Sequence, residues 1–234
     1  TRLESAIVRD LSGHIGGWLE LVGSLQGDAR ASRRDGVTWS VTDIPWPMFN
    51  AGVAAPDARP EAVQAALDEL RERGLPWFWF VLPQTAPAIV ELVESAGAAP
   101  FDQRAPWMEV ERSRLPAAPS PPGAVIREAA DEADVRTWAG ALQDAYGFPD
   151  AGRDSWIEAA LRRDPASPQF RLWTVLKGEG AVANTLGFVA DGVIGQFGVG
   201  VVPGERRRGY GRLVTLLPAK ALSAPVVGHW ATED

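Results

Sequence analysis

Apolar positions follow helical or strand spacing along nearly the whole chain, and they predict two series of elements. The first series predicts helices over 4–25, 60–73 and 86–97, and strands over 37–43, 48–55, 75–83 and 105–112. The second predicts helices over 131–145, 153–163 and 209–222, and strands over 124–128, 170–176, 181–190, 193–202 and 225–231. This alternation predicts an α/β fold with two similar units.

A proline-rich stretch, Pro116 to Gly123 ("PAAPSPPG"), separates the two series. Its four prolines in eight residues cannot continue a helix or a central strand, and they favour an extended spacer. We therefore expect a first domain at 1–115, a linker at 116–123 and a second domain at 124–234.

The two halves also share a short sequence pattern. The segments "FNAGVAAP" (49–56) and "FGVGVVP" (197–203) are each followed by a predicted helix and then by an apolar strand. Repetition at this scale indicates a duplicated domain. The copies differ after the proline, because only the second continues with Glu-Arg-Arg-Arg-Gly-Tyr-Gly. We therefore expect the second half to carry the chemistry and the first half to support it.

The corner from Arg206 to Gly211 combines positive charge with glycines at the predicted start of a helix. The first helical turn offers unpaired N–H groups and the positive end of the dipole, and glycine lets a ligand approach that backbone. Arginine adds charge-assisted hydrogen bonds. These are the components of an anion site, most naturally for phosphate or pyrophosphate. The common nucleotide motifs do not fit: the Walker lysine is missing after Gly209, and Pro203 stands where a dinucleotide motif needs glycine.

Composition and charge narrow the function classes. The chain has 234 residues, 46% hydrophobic content and a net charge of −7, so it lacks the basic excess of a general nucleic-acid-binding protein. It has no cysteine and only two histidines, which leaves no thiolate nucleophile and no spacing that suggests a metal site. No apolar run approaches the ~20 residues of a membrane span, and the charged opening residues show no signal-peptide h-region. We expect a cytoplasmic protein with no metal, nucleic-acid or membrane partner. Whether the protein forms a homodimer stays open.

Arg206, Gly209 and Gly211 follow a valine-rich strand that ends in proline, and this segment resembles the GNAT family of Gcn5-related, acyl-CoA-dependent acetyltransferases. The family signature, (Q/R)xxGx(G/A), matches at these three positions, and the order of predicted elements over 124–234 is similar to that of the family. The resemblance implies two tandem GNAT-like domains, the first degenerate, with mixed, mostly antiparallel sheets flanked by helices. It also implies direct transfer of an acetyl group from acetyl-CoA to a primary, small-molecule amine.

The resemblance further implies where acetyl-CoA is held. The strand before the signature would part from the strand after the helix, and pantetheine would lie in the gap against the backbone. Amides of the signature would bind the pyrophosphate, and a backbone N–H near Phe197–Val199 would polarise the thioester carbonyl. The expected coenzyme A-binding residues are Val199, Val201, Arg206, Arg207, Arg208, Gly209, Tyr210, Gly211 and Arg212.

The catalytic acid and base are harder to predict. Many relatives in this family use a Glu on the strand before the signature, where this chain has Gln196, which cannot take up a proton. By elimination the candidates are Glu158, His229 and Glu233, and we expect Glu233 or Glu158 to act. A non-catalytic acyl-CoA sensor and a structural pseudo-acetyltransferase stay open as alternatives. The acceptor stays open among aminoglycosides, polyamines, amino acids and peptides.

The second series ends earlier than the first. In the first half a helix and a strand follow the aromatic strand at 75–83, whereas nothing follows Asp234. By the repeat, roughly 30 residues would be missing from the second copy. We therefore expect a second sheet that is truncated at its C-terminal side, with an edge that is exposed or is covered by another chain.

Overall fold

The structure, a computed structural model, describes residues 10–100, 106–164, 167 and 169–230. The first half has the helices α1 (Ser12–Gly23), α2 (Pro60–Glu72) and α3 (Pro87–Ser95), and the strands β1 (Arg30–Arg34), β2 (Val37–Val41), β3 (Ala51–Ala54), β4 (Phe78–Phe80) and β5 (Trp107–Glu111). Both α2 and α3 begin with proline, whose fixed φ suits the first helical position.

The second half follows the predicted order of elements. It contains β6 (Ala124–Glu128), α4 (Glu132–Tyr146), α5 (Asp150–Arg162), β7 (Phe170–Lys177), β8 (Gly180–Ala190), β9 (Val193–Val201), α6 (Tyr210–Ala221) and β10 (Val226–Trp230). The Asp131 carboxylate caps α4 by accepting a hydrogen bond from the Asp134 N–H, and Gly147 ends the helix with a φ of 71°. The predicted α/β class, with two sheets flanked by helices, is confirmed.

The first sheet has four strands in the order β1–β2–β3–β4. β1 and β2 are antiparallel and are joined by a tight turn at Asp35 and Gly36, whose φ values are 45° and 79°. β3 and β4 are parallel. The sequence pattern does not predict β1, because Arg-Ala-Ser-Arg-Arg has no apolar alternation. It forms an exposed edge strand whose charges disfavour pairing with another chain.

The second sheet has six strands in the order β5–β10–β9–β8–β7–β6, and one of them comes from the first half. β5 precedes the linker but pairs antiparallel with β10, from Val226 opposite Glu111 to Trp230 opposite Trp107. The strand that precedes the linker thus joins the sheet of the second half, and the edge of β10 that was expected to be exposed is covered by β5. Periodicity identifies a strand but not its partner. The domain limits 1–115, 116–123 and 124–234 stay a prediction.

Helix α1 joins the two halves in one hydrophobic core. Its buried residues Ile15 and Trp18 belong to the same cluster as Trp138 of α4, Trp156 of α5 and Phe188 of β8. The predicted helix over 4–25 is found from Ser12, and its part at 4–9 lies outside the described residues. β4 is shorter than the predicted strand at 75–83, because Pro76 and Pro83 lie within that range and cannot donate to the sheet.

Glycines let α1 lie close to both sheets. A Cβ placed on Gly17 would lie 2.3 Å from the Ala190 Cβ of β8, and one on Gly16 would lie 3.1 Å from the Thr38 Oγ1 of β2. These glycines weaken an isolated helix, but they permit a close approach of the helix backbone to its neighbours that a larger residue would prevent. None of the helices in the described part of the chain is long and apolar enough to cross a membrane.

The two faces of the second sheet are covered by different helices. Neighbouring residues of a strand point to opposite faces, and in β7 Leu172 belongs to the cluster with α1, α4 and α5. The next residue, Trp173, belongs to the cluster with Leu213 and Val214 of α6. The signature helix thus lies on one face, and α1, α4 and α5 lie on the other.

Candidate functional site

β9 and β10 part soon after they begin. They are paired in parallel only at Val193–Val226 and Ile194–Val227, although β9 continues to Val201. A gap therefore opens between the two strands toward their C-terminal ends. In the first half, β3 and β4 stay paired at three successive positions up to Val53 opposite Phe80. The gap is thus a property of the second sheet, whereas the equivalent strands of the first half remain together.

A β-bulge lies where β9 borders this gap. The register with β8 shifts between Asn184 and Leu186, so that Leu186 is opposite Phe197 and Asn184 is opposite Gly200. Gly198 has a φ of 57°, a left-handed conformation that favours glycine, and a Cβ there would lie 2.8 Å from the Leu142 Cδ1. The Asn184 side chain donates a hydrogen bond of 2.7 Å from Nδ2 to the Gly198 carbonyl. This bond fixes the bulge.

The signature helix begins with an open, uncapped turn. Gly209 is its N-cap residue with a φ of 90°, and no side chain caps the helix. Since the Leu213 N–H, which donates to the Gly209 carbonyl, is the first intrahelical donor, the amides of Tyr210, Gly211 and Arg212 precede it and have no intrahelical acceptor. A Cβ on Gly209 or Gly211 would have no neighbour nearer than 3.8 Å or 3.7 Å. The space in front of this helix start is therefore not filled by side chains.

The four arginines of the corner have different surroundings. Arg206 donates to the Val201 carbonyl at 3.3 Å and to the Ala145 carbonyl at 3.1 Å, so its side chain ties the end of β9 to α4. Arg208 forms an ion pair with Glu205. Arg207 and Arg212 are exposed, and Arg207 has the left-handed φ of 64°. Exposed cations beside unpaired amides make the corner electropositive.

Solved structures share this architecture over most of their length. A GCN5-related N-acetyltransferase from Kribbella flavida is 18% identical, with a TM-score of 0.68 over 95% of this chain and 86% of its own. A tandem GNAT protein from the clavulanic acid biosynthesis pathway is 12% identical, with a TM-score of 0.54 over 94% of this chain and 79% of its own. The chain has the GNAT fold. No protein-family model and no curated protein matches the sequence.

The resemblance to the GNAT family implies that the backbone at Val199 and Val201 would pair with pantetheine. The carbonyls of both residues already accept a hydrogen bond from a side chain. The Tyr146 hydroxyl donates to the Val199 carbonyl at 3.0 Å, and the Arg206 Nε donates to that of Val201. A carbonyl oxygen has two lone pairs, so each can accept a second hydrogen bond. The Tyr210 side chain is 2% exposed and packs in the core, which leaves its amide as the group that faces the corner.

Gln196, which stands where the resemblance implies a Glu in the GNAT fold, has a packing role here. It is 2% exposed, and its Nε2 donates to the Thr215 carbonyl at 2.7 Å. The bond joins β9 to α6 behind the gap. It holds the signature helix against the strand that carries the bulge.

The predicted acid and base candidates lie in different places. Glu158 of α5 forms an ion pair with Arg162, whose guanidinium also binds the Asp43 carboxylate of the first half. His229 lies in β10, and burial lowers the pKa of its imidazole below the ordinary value, so the ring is neutral at neutral pH. Glu233 lies outside the described residues. Among the residues that the structure describes, no group of three or more His, Asp or Glu side chains is arranged to bind a metal ion.

Sequence reasoning missed Asn184 and assigned no role to Tyr146. Asn184 is fully buried in "AVANTLGFVA", and an amide inside such an apolar strand is a signal that a backbone group needs a partner there. Tyr146, the last residue of α4, carries no comparable signal, because its contact with Val199 depends on how α4 packs on the sheet.

Proposed function

We propose that the protein transfers an acetyl group from acetyl-CoA to a primary amine. One observation carries the proposal: the gap between β9 and β10 has the Gly198 bulge beside its narrow end and the uncapped start of α6 beyond its wide end. A ligand with an extended arm and a pyrophosphate end matches this gap in shape and charge. The GNAT fold supports the same activity.

Residues of the gap and the corner would hold the ligand. The β9 backbone at Val199 and Val201 would pair with the extended arm. The amides from Arg207 to Arg212 would bind the pyrophosphate, with the exposed guanidinium groups of Arg207 and Arg212 adding charge. Arg206 and Arg208, which bind carbonyls and Glu205, would act mainly by positioning the corner.

The bulge would supply the electrostatic part of catalysis. Acetyl-CoA, when bound, supplies an activated thioester. A backbone N–H within Phe197–Val199 would donate to the thioester carbonyl and stabilise the negative charge that develops on its oxygen. The amine nitrogen would form a bond to the carbonyl carbon, the carbon–sulfur bond would break, and the proton lost by the amine would balance the one gained by the thiolate. No protein nucleophile is required, which agrees with a chain without cysteine.

For the base we favour Glu233 over Glu158, because the Glu158 carboxylate is paired with Arg162. We expect Glu233→Gln to lower kcat while the Kd for acetyl-CoA stays nearly constant, and Glu158→Gln to leave kcat nearly unchanged. The opposite result would assign the base to α5.

A non-catalytic acyl-CoA-binding role is the second candidate, and the pairing of Glu158 with Arg162 favours it, since this leaves one fewer carboxylate for proton transfer. Binding of acetyl-CoA without turnover of any amine would support this role. The homodimer and the cytoplasmic location stay predictions.

Calorimetry with acetyl-CoA, followed by an amine screen, tests the proposal. We expect the double variant Arg207→Ala/Arg212→Ala to weaken binding more than tenfold, a loss above ~1.4 kcal/mol. The matched control is Arg136→Ala, which removes an exposed guanidinium that pairs with Glu132 on α4. Unchanged affinity in the double variant would refute the pyrophosphate assignment, and absence of acetyl-CoA binding by the unmodified protein would refute the function.

A further inference from the structure

Four half-buried aromatic side chains form a continuous row beside the bulge. Phe197 lies 5.6 Å from Trp230, Trp230 is stacked on Phe80 at 6.1 Å, and Phe80 lies 5.0 Å from Phe78, as measured between ring centroids. We call these four residues the aromatic strip. Aromatic residues that pack only within a core are commonly covered on both sides, whereas all four here keep part of their surface accessible.

The strip begins at the point where acetyl transfer is proposed. Phe197 directly precedes the bulge residue Gly198, and Trp230 ends β10 on the opposite side of the gap. The strip packs against the cluster formed with α1, α4 and α5, so it lies on the face of the sheet opposite α6. A ligand whose pyrophosphate binds at the start of α6 leaves this opposite face for the acceptor.

The first half supplies the other end of the strip. Phe78 and Phe80 are two positions apart in β4 and therefore point to the same side of that strand, toward the second half. Trp79 between them points to the other side and packs in the first half's own core. The first half thus contributes a wall to the second half's gap, although its own strands β3 and β4 stay paired.

Charge around the strip disfavours a polycationic acceptor. The described residues of β4, β9 and β10 include no Asp, Glu, Lys or Arg, and in the adjacent β5 the Glu109 carboxylate accepts a hydrogen bond from the Trp107 Nε1. The Asp43 and Glu158 carboxylates between the halves are both bound by Arg162. A polyamine or aminoglycoside needs several carboxylates, whereas an aromatic ring gains offset or edge-to-face contacts with accessible aromatic rings roughly 4.5–7 Å away.

We propose that the acceptor is a primary amine joined by a short apolar arm to an aromatic ring, and that the ring binds the aromatic strip. This inference rests on the proposed acetyl transfer and adds the class of its acceptor. The arm places the amine nitrogen at the bulge, while the ring packs against the accessible surface that Trp230 and Phe80 share.

A matched panel of amines tests the inference. The panel is 2-phenylethylamine, 2-cyclohexylethylamine with a saturated ring of the same size, ethylamine with no ring, and spermidine. We expect kcat/KM to be highest for 2-phenylethylamine and at least about tenfold lower for spermidine. In Phe80→Leu and Trp230→Leu, kcat/KM for 2-phenylethylamine should fall by roughly fivefold to tenfold, with little change for ethylamine, because one aromatic contact is removed. Phe148→Leu, a half-buried aromatic outside the strip, is the control.

The outcomes separate this inference from the proposed function. If acetyl-CoA binds but spermidine is a better substrate than 2-phenylethylamine, the proposed acceptor class is wrong while acetyl transfer stands. The same conclusion follows if both strip variants lower kcat/KM equally for all amines. A preference for the cyclohexyl amine would show an apolar pocket without aromatic recognition and would also overturn the inference. If acetyl-CoA does not bind, the proposed function itself fails. The order of the four amines with the unmodified protein decides the acceptor class even if a variant does not fold.

Discussion

The Asn184 Nδ2 donates a hydrogen bond of 2.7 Å to the Gly198 carbonyl, and this contact joins the centre of β8 to the bulge of β9. The amide is fully buried, so no water replaces it as donor. A bulge leaves one residue of the strand outside the regular ladder, and its backbone groups need other partners. Asn184 therefore sets the direction of the peptide groups that would face a thioester carbonyl.

We expect Asn184→Leu to lower the rate of acetyl transfer by roughly tenfold or more while the Kd for acetyl-CoA changes little. Loss of the donor leaves a buried carbonyl unsatisfied, a cost of about 1–3 kcal/mol, and lets the bulge relax. Steady-state kinetics, calorimetry and thermal unfolding of the same preparation separate these effects. Thr174→Val is the control, since Thr174 is buried opposite Asn184 on β7, away from β9. Equal losses of rate in both variants would leave Asn184 with a general packing role only.

Gly198 and Gly178 offer a matched pair for the role of the bulge. Their φ values are 57° and 60°, but only at Gly198 would a Cβ meet a neighbour, whereas Gly178 has open space. Gly178→Ala should therefore lower the free energy of unfolding by only about 1–2 kcal/mol, the cost of holding alanine in the left-handed conformation. Gly198→Ala should cost more and should also lower acetyl transfer. Urea unfolding and initial rates measure both, and similar rates in the two variants would argue against a catalytic bulge.

Gly17 and Gly140 form a second matched pair. Both lie within helices, but a Cβ on Gly17 would clash with Ala190, whereas one on Gly140 would have no neighbour within 4 Å. Gly140→Ala should stabilise the protein by about 0.5–1 kcal/mol through helix propensity. Gly17→Ala should destabilise it by about 1–3 kcal/mol, because the added methyl overpacks the contact between α1 and β8. Thermal unfolding checks the sign, and stabilisation by both substitutions would contradict the close approach of α1.

The ion pair between Asp43 and Arg162 should make the contact between the halves sensitive to acid. The hydrogen bond from Arg162 lowers the pKa of the Asp43 carboxyl below its ordinary value. A lowered folded-state pKa means that the stabilisation is present above the unfolded-state pKa and is lost as the pH falls through the folded-state value. Since the Asp43 side chain is 41% exposed, solvent screening limits the contribution to about 0.2–1 kcal/mol.

Comparison of the unmodified protein with Asp43→Asn tests this dependence. The difference in free energy of unfolding between them should be largest near neutral pH and should shrink below the ordinary pKa of aspartate. Arg136→Ala on α4, which breaks a pair within one helix, is a control that leaves the contact between the halves intact. A difference that grows as the pH falls would contradict the proposed linkage.

Most of the elements follow from local patterns in the sequence. Amphipathic spacing predicts α2 and the helices of the second half, and the Arg206–Gly211 motif predicts the uncapped turn before α6. These features depend on residues that are neighbours along the chain, so periodicity and local motifs are sufficient to predict them. The edge strand β1 escapes the same reasoning, because its charges are suited to solvent rather than to a core.

The sequence by itself determined the α/β class, the repeat and the glycine-rich corner, since each is a matter of local spacing or residue type. Only the tertiary structure decided that β5 joins the second sheet, that β9 parts from β10 after two paired positions, and that Asn184 reaches Gly198. It also decided that Phe78 and Phe80 meet Trp230. These relationships join residues far apart in the chain. Such pairings depend on how whole elements pack, which local propensity does not specify.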